Sequence, residues 1–414
     1  MKNKLPFTKE QALKWREIYP TPFYVYDEAE ISSRVKSLYE AFSWNPGFRE
    51  YFAVKATPTP AILRLLSGLG CGADCASVQE LELAKRCHMP MILSSNETQR
   101  FEYAYAAKCG AIINLDDFTQ IENMEKAIAI PDTICMRYNA GKMNFPDEYM
   151  GDCLDSKFGM MKEQVFDAVE ILKEKGVKHF GFHGMHASGC LNPVYYPTLA
   201  REMFRLVLEI REKSGITAEF IDLSGGIGIP YTPYDTEVDI IAIGEGVRKA
   251  YEEILTPAGV SLSIFTELGR WVTGPCGYLV STVVGHKHIF KEYVGLDTCA
   301  CDLMRPAMYS AYHHINVLGK EDAPLDTIVD VVGSLCENND KFAVNRPLPE
   351  TQVGDMVVIQ DAGAHGHSMG YNYNSRLRCA EFMLKKDGSL EMIRRAETMQ
   401  DYFAVFDIDE EFNA

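Results

Sequence analysis

The chain predicts a (β/α)8 TIM-like barrel followed by an antiparallel β-barrel domain. Three observations carry that expectation. Short apolar runs alternate with helical stretches eight times, from Tyr51 to Glu267, over a length close to the roughly 250 residues such a barrel takes. Beyond about residue 278 the long helical stretches stop and strand-like runs succeed one another. At 414 residues, the chain is too long for one ordinary core and suits two domains. The expected boundaries are 28–277 for the barrel, with 1–27 and 278–414 forming the β domain. A doubly wound sheet shares the local pattern, but the count of eight favours the barrel.

Taken in order, Thr8 and Gln11 form a capping box ahead of a first helix, which Pro20 ends. Phe23–Tyr26 reads as a strand that joins the β domain. Residues 28–42 space Ile31, Val35, Leu38 and Phe42 on one helical face. The eight barrel strands are read at Tyr51–Lys55, Cys71–Ala76, Met91–Asn96, Ala111–Leu115, Thr133–Asn139, His179–His186, Glu219–Ser224 and Leu262–Glu267. Helices over 163–175 and 197–213 stop at Gly176 and Gly215. In the last third, Gly277–Val284, Tyr293–Asp297, Thr327–Val332 and Met356–Asp361 are strand-like. Leu377–Leu384 and Leu390–Arg394 flank the hairpin turn Lys386-Asp387-Gly388-Ser389.

Composition narrows the function. A formal charge of −17 argues against nucleic acid and anionic membrane surfaces, which would repel it. No apolar run is long enough to span a bilayer. The opening residues MKNKLPFTKEQ hold no signal-peptide-like segment, so the expected location is the cytoplasm. The 12 cysteines are then thiols. Cys71/Cys75 and Cys299/Cys301 lack zinc-site spacing, and no metal is expected.

Barrel chemistry sits at the C-terminal strand ends, and seven of the eight runs end in polar residues. These are Lys55, Asp74, Asn96, Arg137 with Asn139, His183 with His186 and Ser188, Ser224-Gly225-Gly226, and Glu267 with Arg270. A lysine leaving a buried strand loses water, which lowers its pKa and readies the amine as a nucleophile for carbonyl groups. Glycines after the seventh strand let backbone N–H groups approach a phosphate. A carbonyl-binding lysine plus a phosphate cradle is what pyridoxal phosphate requires, and a carboxylate such as Glu267 keeps its ring nitrogen protonated. In the β domain, Cys336 beside Glu337 offers a proton donor and an ammonium binder, and Arg305 offers a carboxylate clamp.

Together these segments resemble the fold-type III pyridoxal-phosphate decarboxylases, and among them the diaminopimelate decarboxylases. The motifs are TPFYVYD, YFAVKAT, GCGADCASVQEL, RYN, SKFG, HGMHASG, DLSGGIGIPY, ELGR, RPAMYSAYHHI, CENND and GAHGHSMGYNYNSR, in order from about Thr21 to Met399. The resemblance implies that Lys55 bonds the cofactor. Asp74, Arg137, His183, Met185, Ser188, Gly225, Gly226, Glu267, His365 and Tyr373 would line the cofactor. Arg270, Arg305, Tyr309 and Glu337 would bind substrate, and Cys336 would be catalytic. Cys336 and Glu337 would reach a second subunit, implying a homodimer with shared sites.

Four positions depart from the family pattern. HxHxGSQ reads His183-Gly184-Met185-His186-Ala187-Ser188-Gly189, with Met185 at the ring-stacking position. Ser224 replaces a glycine, EPGR reads Glu267-Leu268-Gly269-Arg270, and the tyrosine of GAY is His365. The implied activity is decarboxylation of meso-2,6-diaminopimelate to L-lysine. A decarboxylase of D-lysine, D-ornithine or another basic amino acid is the alternative. A racemase or a catalytically inactive relative fits Lys55, Glu267 and Cys336 less well.

Overall fold

The computed structural model describes residues 4–142 and 155–407. It divides into two compact units. One holds Ser32–Pro230 and Thr236–Val272; the other holds the residues up to Ile31, Tyr231–Asp235 and the residues from Thr273 onward.

The first unit is a closed barrel of eight parallel strands. With β1 reserved for Phe23–Asp27, these are β2 (Arg49–Ala53), β3 (Gly72–Cys75), β4 (Met91–Leu93), β5 (Ile112–Leu115), β6 (Thr133–Tyr138), β7 (His179–Gly184), β8 (Phe220–Asp222) and β9 (Ser263–Thr266). All eight expected runs are present. The barrel closes where β2 pairs β9, Arg49 beside Phe265.

Strand side chains alternate with period two, so one interior layer dictates the next. Tyr51, Phe220 and Phe265 form an aromatic layer, with ring centroids 4.9 Å apart for Tyr51–Phe265 and 4.7 Å for Phe220–Phe265. Glycine makes room for it. A Cβ on Gly181 would lie 2.1 Å from the Phe220 ring, and one on Gly72 would lie 2.5 Å from the Tyr51 ring. Two residues further along β3, β7 and β8, and just past β9, come Asp74, His183, Asp222 and Glu267. The aromatic layer is thus a floor, and the polar residues stand above it at the strand exits.

The second unit is a nine-stranded sheet. Its strands are β1, β10 (Gly277–His288), β11 (Glu292–Leu296), β12 (Ile315–Val317), β13 (Thr327–Val332), β14 (Lys341–Leu348), β15 (Met356–Ile359), β16 (Ala380–Leu384) and β17 (Leu390–Arg394). The main path runs β14-β13-β11-β10-β1-β16-β17, and β15 bridges β10 and β12. The N-terminal strand β1 lies in this sheet, antiparallel to β10. The expectation of a purely antiparallel domain is corrected: β1 runs parallel to β16, and β11 parallel to β13. Both parallel pairs join strands far apart in sequence, where no hairpin dictates direction. The capping box is present, Thr8 receiving the Gln11 N–H at 3.3 Å and Gln11 the Thr8 N–H at 2.9 Å. That helix packs Ala12 and Trp15 into a core with Phe7, Phe23, Val25, Tyr278, Val280 and Phe382.

Candidate active site

Lys55 stands in the tight turn Val54–Ala56 directly after β2. Its side chain is 48% exposed, and its Nζ donates to Asp74 Oδ2 at 2.8 Å, an oxygen of a carboxylate that is fully buried. This pair corrects the expected fall in the lysine pKa. Burial does act to lower it, but the charges of Asp74 and Glu267 outweigh burial and raise it above the ordinary value. Lys55 is therefore an ammonium ion held by its neighbours.

Next to it a hydrogen-bonded chain crosses the barrel mouth. Asp116 Oδ1 accepts from Arg137 Nη1 at 2.5 Å. Arg137 Nε donates to His183 Nδ1 at 3.2 Å. With Nδ1 accepting, Nε2 is the donor, and it lies 3.4 Å from Glu267 Oε2. Ser224 Oγ donates to the same oxygen at 2.8 Å. Glu267 Oε1 is buried and makes no hydrogen bond among the described residues. Burial pushes the Glu267 pKa up, but His183, Lys55 and Ser224 together hold it down, to about 2. The acid is ionised, with one oxygen held and one available to a donor.

Three acids in this cluster went unnoticed in the sequence. Asp116 directly follows β5, the one run not credited with a polar end. Asp222 receives the Ser224 N–H at 2.7 Å, and burial together with the Glu267 charge raises its pKa well above the ordinary carboxylate range. Glu50 sits behind Glu267, accepting from Thr266 Oγ1 at 2.5 Å and from the Leu268 N–H at 2.7 Å. Burial raises Glu50 to about 8. The residues on either side of Glu267 are thereby anchored. The DLSGG string was the available signal for Asp222; nothing distinguished Glu50 from a surface acid.

The loops after β7 and β8 are zipped together. Cys190 N donates to Gly226 O, and Gly228 N to Cys190 O, each at 2.8 Å. This brings Ser188, Gly225 and Gly226 into two paired loops. Gly226 has φ +107°, and a Cβ there would lie 2.7 Å from Ala187 O, so only glycine fits. Beside them the Tyr195 hydroxyl receives the N–H groups of His186 and Ala187 at 3.3 and 3.1 Å. Met185 is half-buried, and His186 Nε2 receives the Ala140 N–H at 2.9 Å. Arg270 lies three residues past Glu267, on the short helix Gly269–Thr273.

The remaining candidates belong to the β unit. The loop 333–340 folds around Asp340, which accepts the N–H groups of Ala300 and Leu335, each at 2.7 Å. Cys336 is exposed, its N–H donating to Asn374 Oδ1 at 2.7 Å. The exposed Glu337 receives the Asn339 N–H at 3.1 Å. Arg305 is buried, its guanidinium 4.8 Å from the Tyr231 ring centroid and its Nε 3.4 Å from His313 Nε2. Tyr309 and Tyr373 are exposed. His365 is half-buried with φ +55°.

His183, Asp222 and Glu267 offer three donor atoms within 4.8 Å of one another. Their chemistry suits a protonated nitrogen better than a metal ion, because Glu267 Oε2 already accepts two donors and burial with the Glu267 charge raises the Asp222 pKa, favouring its neutral form. A lysine for an aldehyde, a glycine cradle for a phosphate and an unpartnered carboxylate oxygen for a ring N–H fit pyridoxal phosphate. The fold and these residues define a barrel enzyme using that cofactor.

Residues 28–274 match the family described as pyridoxal-dependent decarboxylase, pyridoxal binding domain. The chain is 39% identical over 390 residues to Protein TabA of Pseudomonas amygdali pv. tabaci, covering 93% of this chain and 90% of that protein. It is 32% identical to a diaminopimelate decarboxylase of Methanothermobacter thermautotrophicus, covering 94% and 92%. A crystal structure of diaminopimelate decarboxylase from M. jannaschii superposes with a TM-score of 0.89 at 29% identity, covering 97% and 95%. The chain belongs to the pyridoxal-dependent decarboxylases.

Proposed function

We propose that the chain converts meso-2,6-diaminopimelate to L-lysine and carbon dioxide. The observation that carries the reaction class is the Lys55–Asp74 pair beside a Glu267 whose Oε1 awaits a donor. The substrate reading draws on relatives named diaminopimelate decarboxylase at about one-third identity across nearly the whole chain. It also draws on a similar structure described as a complex with L-lysine, the product of that reaction.

When bound, the cofactor supplies an electron sink for the bond to the departing carboxylate. The chain supplies the rest. Lys55 gives up its proton before its amine can bond an aldehyde, and until then Asp74 steadies the ammonium form. Glu267 would hold a proton at the ring nitrogen through Oε1. Ser188 and the N–H groups of Gly225 and Gly226 would hold the phosphate. Met185 would face the ring, and Arg137, His183, His365 and Tyr373 would complete the cofactor's surroundings. Arg270, Arg305 and Tyr309 grip the distal carboxylate, which lysine and ornithine lack. Glu337 binds an ammonium group, and Cys336 delivers a proton to the α-carbon. Cys336 and Glu337 act in the site of a second copy, making the working unit a homodimer. The product would serve lysine biosynthesis.

The second reading, a decarboxylase of D-lysine, D-ornithine or a related basic amino acid, has one observation behind it. The relative matched at 39% identity, Protein TabA, carries no diaminopimelate decarboxylase name. The test is to incubate the purified protein, loaded with pyridoxal phosphate, separately with meso-diaminopimelate, L- and D-lysine, L- and D-ornithine and L-arginine. Products are then resolved by chromatography. Lysine formed from diaminopimelate alone is expected. Turnover of a D-amino acid in preference to diaminopimelate would replace the first reading with the second.

A further inference from the structure

Glu267 must sustain positive charge on a ring nitrogen inside a crowd of acids. Asp222 and Glu50 are both buried, and each feels the Glu267 charge. That repulsion falls on Asp222 and Glu50, whose pKa values it raises, so Glu267 is the acid of the three that keeps its charge. Anything that made Glu267 more basic would draw the shared proton off the ring.

Position 224 answers that problem. Ser224 is fully buried and adopts φ +56°, a left-handed conformation that glycine takes freely and serine does not. It is fastened on three sides. Its N–H donates to Asp222 Oδ1, its carbonyl accepts the Tyr196 hydroxyl, and the same carbonyl accepts the Glu267 N–H at 2.8 Å. The strained backbone aims the hydroxyl at Glu267 Oε2, 2.8 Å away. His183 Nε2 approaches the same oxygen, and Oε1 has no hydrogen bond among the described residues.

We propose that Ser224 is a positioning residue, whose hydroxyl holds Glu267 Oε2 so that Oε1 serves the ring nitrogen and the shared proton stays on the ring. The direction agrees with the Glu267 charge balance, in which Ser224 is one of the groups favouring the ionised acid. The inference rests on Glu267 being the partner of that nitrogen.

The test uses the full chain reconstituted with pyridoxal phosphate carrying 15N in its ring. The 15N chemical shift is read at neutral pH for the wild type, Ser224→Gly and Ser224→Ala. Glycine separates the hydroxyl from the backbone, because it relieves the left-handed strain and only removes buried atoms. The wild type is expected to show a protonated ring. Both variants should move toward the unprotonated shift by similar amounts, about a tenfold change in proton distribution for each pKa unit gained by Glu267. kcat should fall about tenfold with KM little changed, as for an interaction made in the transition state. A glycine variant with the wild-type ring shift overturns the role of the hydroxyl, whatever alanine does. An unprotonated ring in the wild type overturns the assignment of Glu267 itself.

Discussion

The barrel mouth and the 333–340 loop of the β unit make their polar groups in opposite ways. At the mouth, Asp116, Arg137, His183, Glu267 and Ser224 are all buried at strand exits, and each is hydrogen-bonded to the next. In the loop, Cys336 and Glu337 are exposed, and the order comes from a different residue, Asp340, gathering backbone N–H groups. The difference teaches a division of labour. A preorganised, water-poor cluster suits chemistry that every amino-acid substrate shares. An exposed loop, tolerant of change, suits the choice among substrates that we propose for Glu337, while the proton proposed for Cys336 belongs to the shared chemistry.

Two substitutions probe that division. Lys55→Ala has the largest expected effect. Removing the nucleophile should lower carbon dioxide release by at least ~1000-fold for any substrate, the scale seen when a residue acting as part of a catalytic unit is removed. Near-normal release from labelled substrate would break the comparison at its base. Arg305→Met comes next. Methionine keeps apolar bulk against Tyr231 and removes the charge. We expect kcat/KM for diaminopimelate to fall about 100-fold, the loss of a charge-assisted carboxylate contact. The fall should sit mainly in KM. A loss of kcat as deep as that of Lys55→Ala would place Arg305 with the shared chemistry instead.

Much of this division was legible in the sequence, for a physical reason. Parallel barrel strands are buried on both faces, so they read as apolar runs, and a polar residue at the end of such a run stands out. Lys55, Asp74, Arg137, His183 and Glu267 were visible on that ground. Glu50 was not, because its burial depends on Thr266 and Leu268, more than 200 residues away. Strand β14 was missed because Asn345-Arg346-Pro347 interrupts a strand pattern; β14 ends the sheet's main path, a position where proline is tolerated. Ser224 was visible only as an oddity of the glycine loop. That its hydroxyl turns to Glu267 follows from a left-handed backbone angle that no sequence pattern announces.

The lysine pKa is the place where local reasoning gave the wrong sign, and it yields the finest of the tests. Burial alone would make Lys55 a readier nucleophile. The Asp74 carboxylate at 2.8 Å reverses that, with Glu267 adding to it. Before cofactor arrives, the amine is therefore mostly protonated at neutral pH. Covalent capture of pyridoxal phosphate by the apoprotein should quicken as pH rises, without levelling off near neutrality. Asp74→Asn removes the charge and keeps the shape, so burial regains weight and the lysine pKa drops. Capture at neutral pH should then speed up, about tenfold for each unit lost, and its pH profile should level off at lower pH than the wild type's. Stopped-flow absorbance across a pH series measures both. Were the two profiles to coincide, Asp74 would be a bystander, and the lysine's charge would rest on its other acidic neighbours, Glu267 and Glu80.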